Sequence, residues 1–220
     1  SQGKGGIVRM RYYNADGGEA EMCGNGARCF GNFAAALLHH DKTAPLPFET
    51  MAGVVTATFE KDDNVTVNLT NPHSMQLFVL NADPTVGADV HFLNTGVPHA
   101  VAFLDKLEGL DISRLGAYLR YHEAFSPKGT NANFARILSP GHIAIRTYER
   151  GVEDETLACG TGITACALLH AVLTDAPSPI QVDVAGGDTL KVGFQRTGDR
   201  FTDVTLTGPA DLVFTGDIQI

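Results

Sequence analysis

Two short stretches of the 220-residue chain carry residue types that could do chemistry, and they match one another. Glu19-Ala20-Glu21-Met22-Cys23-Gly24-Asn25-Gly26 has its counterpart in Glu155-Thr156-Leu157-Ala158-Cys159-Gly160-Thr161-Gly162. In each, a Glu precedes a Cys by four residues, and the Cys is followed by Gly, a small polar residue and Gly. An apolar pattern at helical spacing follows both. A thiol at a helix start lies among unpaired N–H groups and the positive end of the helix dipole, which favour negative charge. Glycines there let the backbone approach an anion closely. One such loop would hold a carboxylate and place a thiol of lowered pKa beside it. Two such loops facing each other would put a thiol on each face of an α-carbon. That arrangement inverts a stereocentre: one thiolate removes the α-proton and the opposite thiol supplies another.

The elements that must position these loops also repeat. Ile7 to Tyr13 alternates as a strand, with Val8, Met10 and Tyr12 on one face. Asn14 to Gly18 reads as a turn, and Ala27 to His40 as a helix apolar nearly all round, which must be wrapped by protein. Strands are expected at Val54–Glu60 and Asn64–Leu69, joined by a turn at Lys61–Asn64. Further strand patterns cover Ser74–Leu80, Val86–Asn94, Thr130–Leu138 and His142–Glu149, with a short surface helix at Asp111–Arg120. The second apolar helix spans Ile163–Thr174, followed by strands at Ile180–Val184, Thr189–Gln195, Thr202–Leu206 and Asp211–Ile220. Ala52-Gly53 and Ala185-Gly186 continue the repeat at nearly the same offset as the cysteines. The prediction is an α+β fold of two pseudo-symmetric domains. Each is a curled, mainly antiparallel sheet around a central apolar helix, with the active site in the cleft between them. Residues 1–72 form the first domain, joined by 210–220, and 73–209 the second.

Bulk properties narrow the function classes. A formal net charge of -9 argues against nucleic acid and anionic membrane surfaces as partners. No apolar run is long enough for a membrane-spanning helix. Four cysteines without a CxxC pair are too sparse for a disulfide scaffold or a zinc site, which points to a reducing, cytoplasmic setting. Cys29 and Cys166, inside the helical runs, read as buried small hydrophobes. Neither a dinucleotide-binding fingerprint nor a phosphate-binding loop occurs, and the eight His show no metal-ligand spacing, so no cofactor and no metal are expected.

The run Asn14-Ala15-Asp16-Gly17-Gly18-Glu19-Ala20-Glu21-Met22-Cys23-Gly24-Asn25-Gly26-Ala27-Arg28-Cys29 resembles one signature of the diaminopimelate epimerases. Glu149-Arg150-Gly151 through Cys159-Gly160-Thr161-Gly162 resembles the other. Pro98-His99 and Thr130-Asn131-x-x-Phe134 are similar to two further motifs of that family, in its order. The resemblance implies a cofactor-independent epimerase that interconverts LL- and meso-diaminopimelate in lysine and peptidoglycan biosynthesis, and leaves a homodimer open. By position, Cys23 and Cys159 would be the acid/base pair, with His99 and Glu149 setting their protonation. Gly24, Asn25, Gly160 and Thr161 would bind the reacting carboxylate. Asn14, Asn131 and Arg150 would recognise the distal end, where a carboxylate suits a planar guanidinium.

Two departures stand out. Val97 occupies a position where the family usually has Asn, for which Asn94 or Asn71 would have to compensate. The family also carries strands and a helix before the Ile7 strand, so the first copy of the repeat reads as cut at its start, with an open sheet edge. Three alternatives remain: a proline racemase-like isomerase of the same fold, a protein with a regulatory disulfide between Cys23 and Cys159, and an inactive binding module.

Overall fold

Two three-stranded meanders meet edge to edge in the sheet, between its third and fourth strands from one edge. A computed structural model of the chain describes residues 7–13, 17–20 and 22–217. The first meander is β3 (Leu46–Thr50), β4 (Gly53–Phe59) and β5 (Val65–Asn68); the second is β12 (Ile180–Asp183), β13 (Thr189–Thr197) and β14 (Arg200–Gly208). β5 and β14 pair antiparallel, with Val67 opposite Leu206, so the strand order β3-β4-β5-β14-β13-β12 reads the same from either side. The Ala-Gly pairs of the repeat lie in the corresponding turns, β3–β4 and β12–β13.

Beyond β12 the sheet continues through β10 (His142–Glu149), β9 (Asn131–Ser139), β8 (Pro98–Phe103), β7 (Ala88–Asn94) and β6 (His73–Asp83). Pairing is antiparallel except at β10–β12 and β8–β9. The start of the chain is more broken than its alternation predicts. Val8 and Met10 exchange hydrogen bonds with Glu49 of β3, and β1 (Tyr12–Tyr13) pairs only with β2 (Glu19–Ala20). No helix among the described residues is long and apolar enough to cross a membrane.

The two helices of the repeat differ in burial. α3 (Gly160–Thr174) packs against β7–β10 and β12–β14, and every residue from Gly162 to Ala171 is buried. α1 (Gly24–Leu37) packs on β3, β4, β5 and β14, which lie on one side of it. The expectation that α1 is wrapped on all sides therefore fails for the described residues. Cys29, Phe33, Ala36 and Leu37 form an exposed stripe at i, i+4, i+7 and i+8, with Phe33 61% and Leu37 64% exposed. Cys29 is thus exposed where a buried thiol was predicted, whereas Cys166 is fully buried.

α2 (Ile112–Arg120) forms as its pattern predicts, capped by the Asp111 carboxylate, which accepts the Arg114 N–H. The strand expected over Asp211–Ile220 is absent from its described part. Residues 211–217 have no strand partner, and residues 218–220 lie outside the described set. A single extended segment without a ladder leaves its backbone to water, so alternation alone does not make a strand.

Candidate active site

Each cysteine of the repeat N-caps its helix in extended backbone conformation, Cys23 at φ -137° and Cys159 at φ -115°. The glutamates four residues earlier do not line the site. They tie the loops to preceding strands by two-pronged ion pairs, Glu19 with Arg11 (3.2 and 3.1 Å) and Glu155 with Arg146 (2.7 and 2.6 Å). The second Glu sits on β11 (Asp154–Thr156), which pairs with β10. Three polar residues without a periodic pattern hid this strand from the sequence.

The two helix starts touch. A Cβ on Gly160 would stand 3.2 Å from the Gly24 Cα, and one on Gly24 would stand 3.5 Å from the Gly160 Cα. Leu206 of β14 lies beneath both, 3.1 and 3.2 Å from those positions. A methyl at either position would press its neighbours apart by a few tenths of an ångström, so glycine suits this approach. Asn25 then bridges the loops, its Nδ2 donating to the carbonyl of Ala158 at 3.2 Å. Its Oδ1 accepts from Arg28 Nη1 at 3.0 Å. Arg28 is buried, and burial pulls its guanidinium below the ordinary pKa, offset in part by Cys29 and Cys23. The sequence reading passed over Arg28, although a charged residue one turn after the cysteine on an apolar helix was a usable signal.

All four cysteines are free thiols. Cys23 is half-buried, and its sulfur accepts from the Gly26 N–H at 3.4 Å. Cys159 is buried and its pKa is pushed up to about 12, by burial first and then by the charge of Glu149. The Thr161 hydroxyl, 3.5 Å from the sulfur, and the Gly162 N–H act in the opposite direction. The lowered pKa expected from the helix field is therefore corrected for Cys159: desolvation outweighs the amides. Tyr12 lies beside the cluster, its ring carbon Cδ2 and the Cys23 Cβ standing 3.5 and 3.4 Å from where a Cβ on Gly26 would be. Its pKa is raised, chiefly by the Cys23 charge, then by burial, with smaller contributions from Glu149 and Cys159.

His99 on β8 is fully buried and its pKa falls to about 3, through burial and the nearby Arg150 charge, so the ring is neutral. Nδ1 accepts from Asn133 Nδ2 at 3.2 Å, which leaves the ring proton on Nε2, an atom with no hydrogen-bond partner among the described residues. Asn133 also donates to the Ala100 carbonyl, and its Oδ1 accepts from Thr147 Oγ1 at 3.0 Å. This network packs on the second loop, because a Cβ at Gly162 would come 2.5 Å from Asn133 Oδ1 and 3.4 Å from His99 Cε1. Asn133 and Thr95, whose hydroxyl donates to the Thr161 carbonyl at 2.9 Å, went unnoticed in the sequence. Asn133 shares a strand face with Asn131, which was the available hint.

Glu149 accepts from the Thr156 hydroxyl at 2.8 Å. Asn131 is buried; its Nδ2 donates to the Pro98 carbonyl at 2.9 Å and its Oδ1 accepts the Arg150 N–H at 2.8 Å. Its amide thus holds the backbone of the two flanking site segments, with one N–H left over. The Arg150 guanidinium makes no ion pair among the described residues; one nitrogen donates to the Lys128 carbonyl at 3.3 Å. Burial and Arg120 lower its pKa. It borders a cavity of about 590 Å³ lined also by Gln76, Asn94, Val97, Pro98 and Lys128. Asn94 therefore shares the cavity wall with Val97, while Asn71 does not line it. Asn14 lies outside the described residues. No cluster of three or more His, Cys, Asp or Glu suited to a metal occurs among the described residues.

Comparison with known proteins places this geometry in context. The diaminopimelate epimerase family profile matches residues 3–75 and 91–213. The diaminopimelate epimerase of Hydrogenobaculum sp. is 43% identical over 210 residues, 93% of this chain and 73% of that protein. That of Aquifex aeolicus is 41% identical, over 96% of this chain and 74% of its own length. Among solved structures, a Bacillus anthracis PhzF-family phenazine biosynthesis protein superposes with TM-score 0.67 at 15% identity, covering 91% of this chain and 77% of its own. A probable proline racemase from Agrobacterium radiobacter superposes with TM-score 0.64 at 20% identity, covering 89% of this chain and 67% of its own. These two share the fold.

Proposed function

The chain belongs to the diaminopimelate epimerase family, and from that premise we propose that it converts LL-diaminopimelate to meso-diaminopimelate by a two-base thiol mechanism without a cofactor. The observation that carries the mechanism is the apposition of two cysteine-capped helix starts at Gly24 and Gly160. The first-turn N–H groups at Gly24, Asn25, Gly160 and Thr161 have no intrahelical partner, and they converge where an α-carboxylate would sit. They would stabilise the negative charge that spreads onto the carboxylate as the α-proton leaves.

Cys159, held protonated by burial, supplies a proton to one face while Cys23 as thiolate takes the α-proton from the other. The return reaction exchanges these roles. His99, with its neutral ring, and Glu149 belong to the surroundings of the second thiol, and Arg150, free of an ion pair among the described residues, takes the distal carboxylate with Asn131; Asn14 joins them on its place in the family motif alone. Residues 1–72, with the segment from 210, and 73–209 act as two domains, each supplying one loop. The Asn32 side chain donates to the Ala210 carbonyl at 2.7 Å, in line with that grouping. A cytoplasmic setting follows from the need for reduced thiols. A homodimer would have the exposed stripe of α1 to bury.

Turnover is the test. The purified chain should invert LL-diaminopimelate and leave L-proline untouched; inversion of proline with no action on diaminopimelate would overturn the assignment.

A further inference from the structure

Alternate side chains of β8, β9 and β10 share the face of the sheet that meets α3. Val101, Ala135 and Ile145 on that face belong to the apolar core. Two positions along the same strands stand His99, Asn133 and Thr147, as buried as the aliphatics at 0, 0 and 2% exposure. Asn133 lies directly across from Thr147 on β10 and from Val101 on β8. A polar trio at the end of an apolar face has to make its hydrogen bonds internally.

Those bonds leave the ring one arrangement. Asn133 Nδ2 is 2.9 Å from the Ala100 carbonyl, which can only accept, and this fixes which way the amide faces. The same nitrogen is 3.2 Å from His99 Nδ1, and Oδ1 takes the Thr147 hydroxyl at 3.0 Å. An amide nitrogen has two N–H groups and accepts nothing, so His99 Nδ1 is the acceptor. A second proton on the ring is opposed by its burial and by the Arg150 guanidinium at the end of β10. On its other side the ring rests against the second loop, with Cε1 3.4 Å from where a Cβ on Gly162 would be. The N–H of Gly162 in turn bears on the Cys159 sulfur.

We infer that Asn133 is a positioning residue: its amide holds His99 in the tautomer with the proton on Nε2, so that His99 serves the site as a hydrogen-bond donor and has no free nitrogen with which to act as a base. The inference rests on the reading of His99 as a residue of the site, and deepens it. A histidine influences a thiol either by taking its proton or by donating to the anion, and only the second course is open here. Nε2 has no partner among the described residues, so its proton is uncommitted within the fold.

The experiment is NMR of the chain carrying ¹⁵N-labelled histidine, with His99 identified by the signals that vanish in His99→Gln. At neutral pH the parent chain should show an unprotonated Nδ1 and a protonated Nε2. In Asn133→Asp a carboxylate accepts where the amide donated, and a proton should appear on Nδ1. Thr147→Val disturbs the same network from its far end but leaves both Nδ2 bonds, so it should keep the parent pattern. With the proton misplaced, kcat for LL-diaminopimelate should fall about 10- to 100-fold in Asn133→Asp while KM stays within a few-fold. A proton on Nδ1 in the parent chain overturns the inference. So does a bare Nδ1 in folded Asn133→Asp, or an unchanged kcat once the proton has moved. A switched ring in Thr147→Val would assign the tautomer to strand packing and reject the role of the amide. Should Asn133→Asp not fold, the parent spectrum decides alone. Full turnover in His99→Gln would instead sink the reading of His99 as a site residue, and a parent chain inactive on diaminopimelate the substrate assignment; neither result is confused with the position of the ring proton.

Discussion

The Asn25 side chain crosses from the first loop to the second and donates to the Ala158 carbonyl at 3.2 Å, directly before Cys159. This is the one side-chain hydrogen bond described between the two loops, and Arg28 fixes the other end of the same amide. A side-chain amide braced by a buried cation therefore ties the two cysteine-bearing loops together.

Asn25→Ala should lower kcat/KM by about 10- to 100-fold, since a small misplacement of reacting groups costs up to ~10²-fold. Chemical denaturation should register a loss of about 1–3 kcal/mol, because the buried Arg28 loses the acceptor of its Nη1 and keeps only the Pro209 carbonyl at 3.5 Å from its Nε. Steady-state kinetics beside urea melts separate the two effects. Loss of stability with unaltered kcat/KM would show that the bridge does not position the thiols.

Gly162→Ala should be worse than Gly26→Ala, although both sit at matching places in the repeat. At 162 the added methyl meets the Asn133 amide oxygen at 2.5 Å, an atom held by Thr147. At 26 the nearest atom is the flexible Met10 methyl at 3.1 Å. Alanine improves helix propensity by about 1 kcal/mol, but overpacking costs about 1–3 kcal/mol where neighbours cannot move. Urea denaturation of both variants gives the comparison, with net destabilisation expected at 162 alone.

His99 should make the fold acid-sensitive. Its folded pKa, about 3, lies below the ordinary 6.5, so the neutral ring is favoured by folding. That contribution is complete above pH 6.5 and is lost progressively as pH falls toward 3. Between pH 7 and pH 4 the parent chain should lose a few kcal/mol more stability than His99→Gln. Equal losses in both proteins would place the acid sensitivity elsewhere.

Much of this site was legible in the sequence because it repeats. Two Cys-Gly-x-Gly runs at helix starts pointed to the apposed loops and to a repeat, and the β5–β14 pairing joins the matching meanders of that repeat. Alternation found β4, β5 and β10, whose burial is largely one-sided, and β9, which is buried in its first half and exposed at its end. It failed for residues 211–217, where a strand-like pattern has no partner, and for β11, where a partner exists without a pattern. The all-round apolar character of α1 predicted a covering that the described residues supply on one side only.

Electrostatics was the least legible layer. Local sequence places Cys159 in the favourable field of a helix start, but burial by distant strands and the charge of Glu149 reverse the direction of its shift. The glutamates of the repeat, Glu19 and Glu155, are struts, which only their partners Arg11 and Arg146 reveal. Asn133 and Thr95 act through neighbours that only the fold brings near.

The central claim is that two thiols act on opposite faces of one carbon, and single-cysteine variants test it most directly. Epimerisation of LL-diaminopimelate by Cys23→Ala and by Cys159→Ala should each fall by about 10³-fold or more, because either change removes one of the two proton-transfer groups. Turnover within a few-fold of the parent chain in either variant would contradict it.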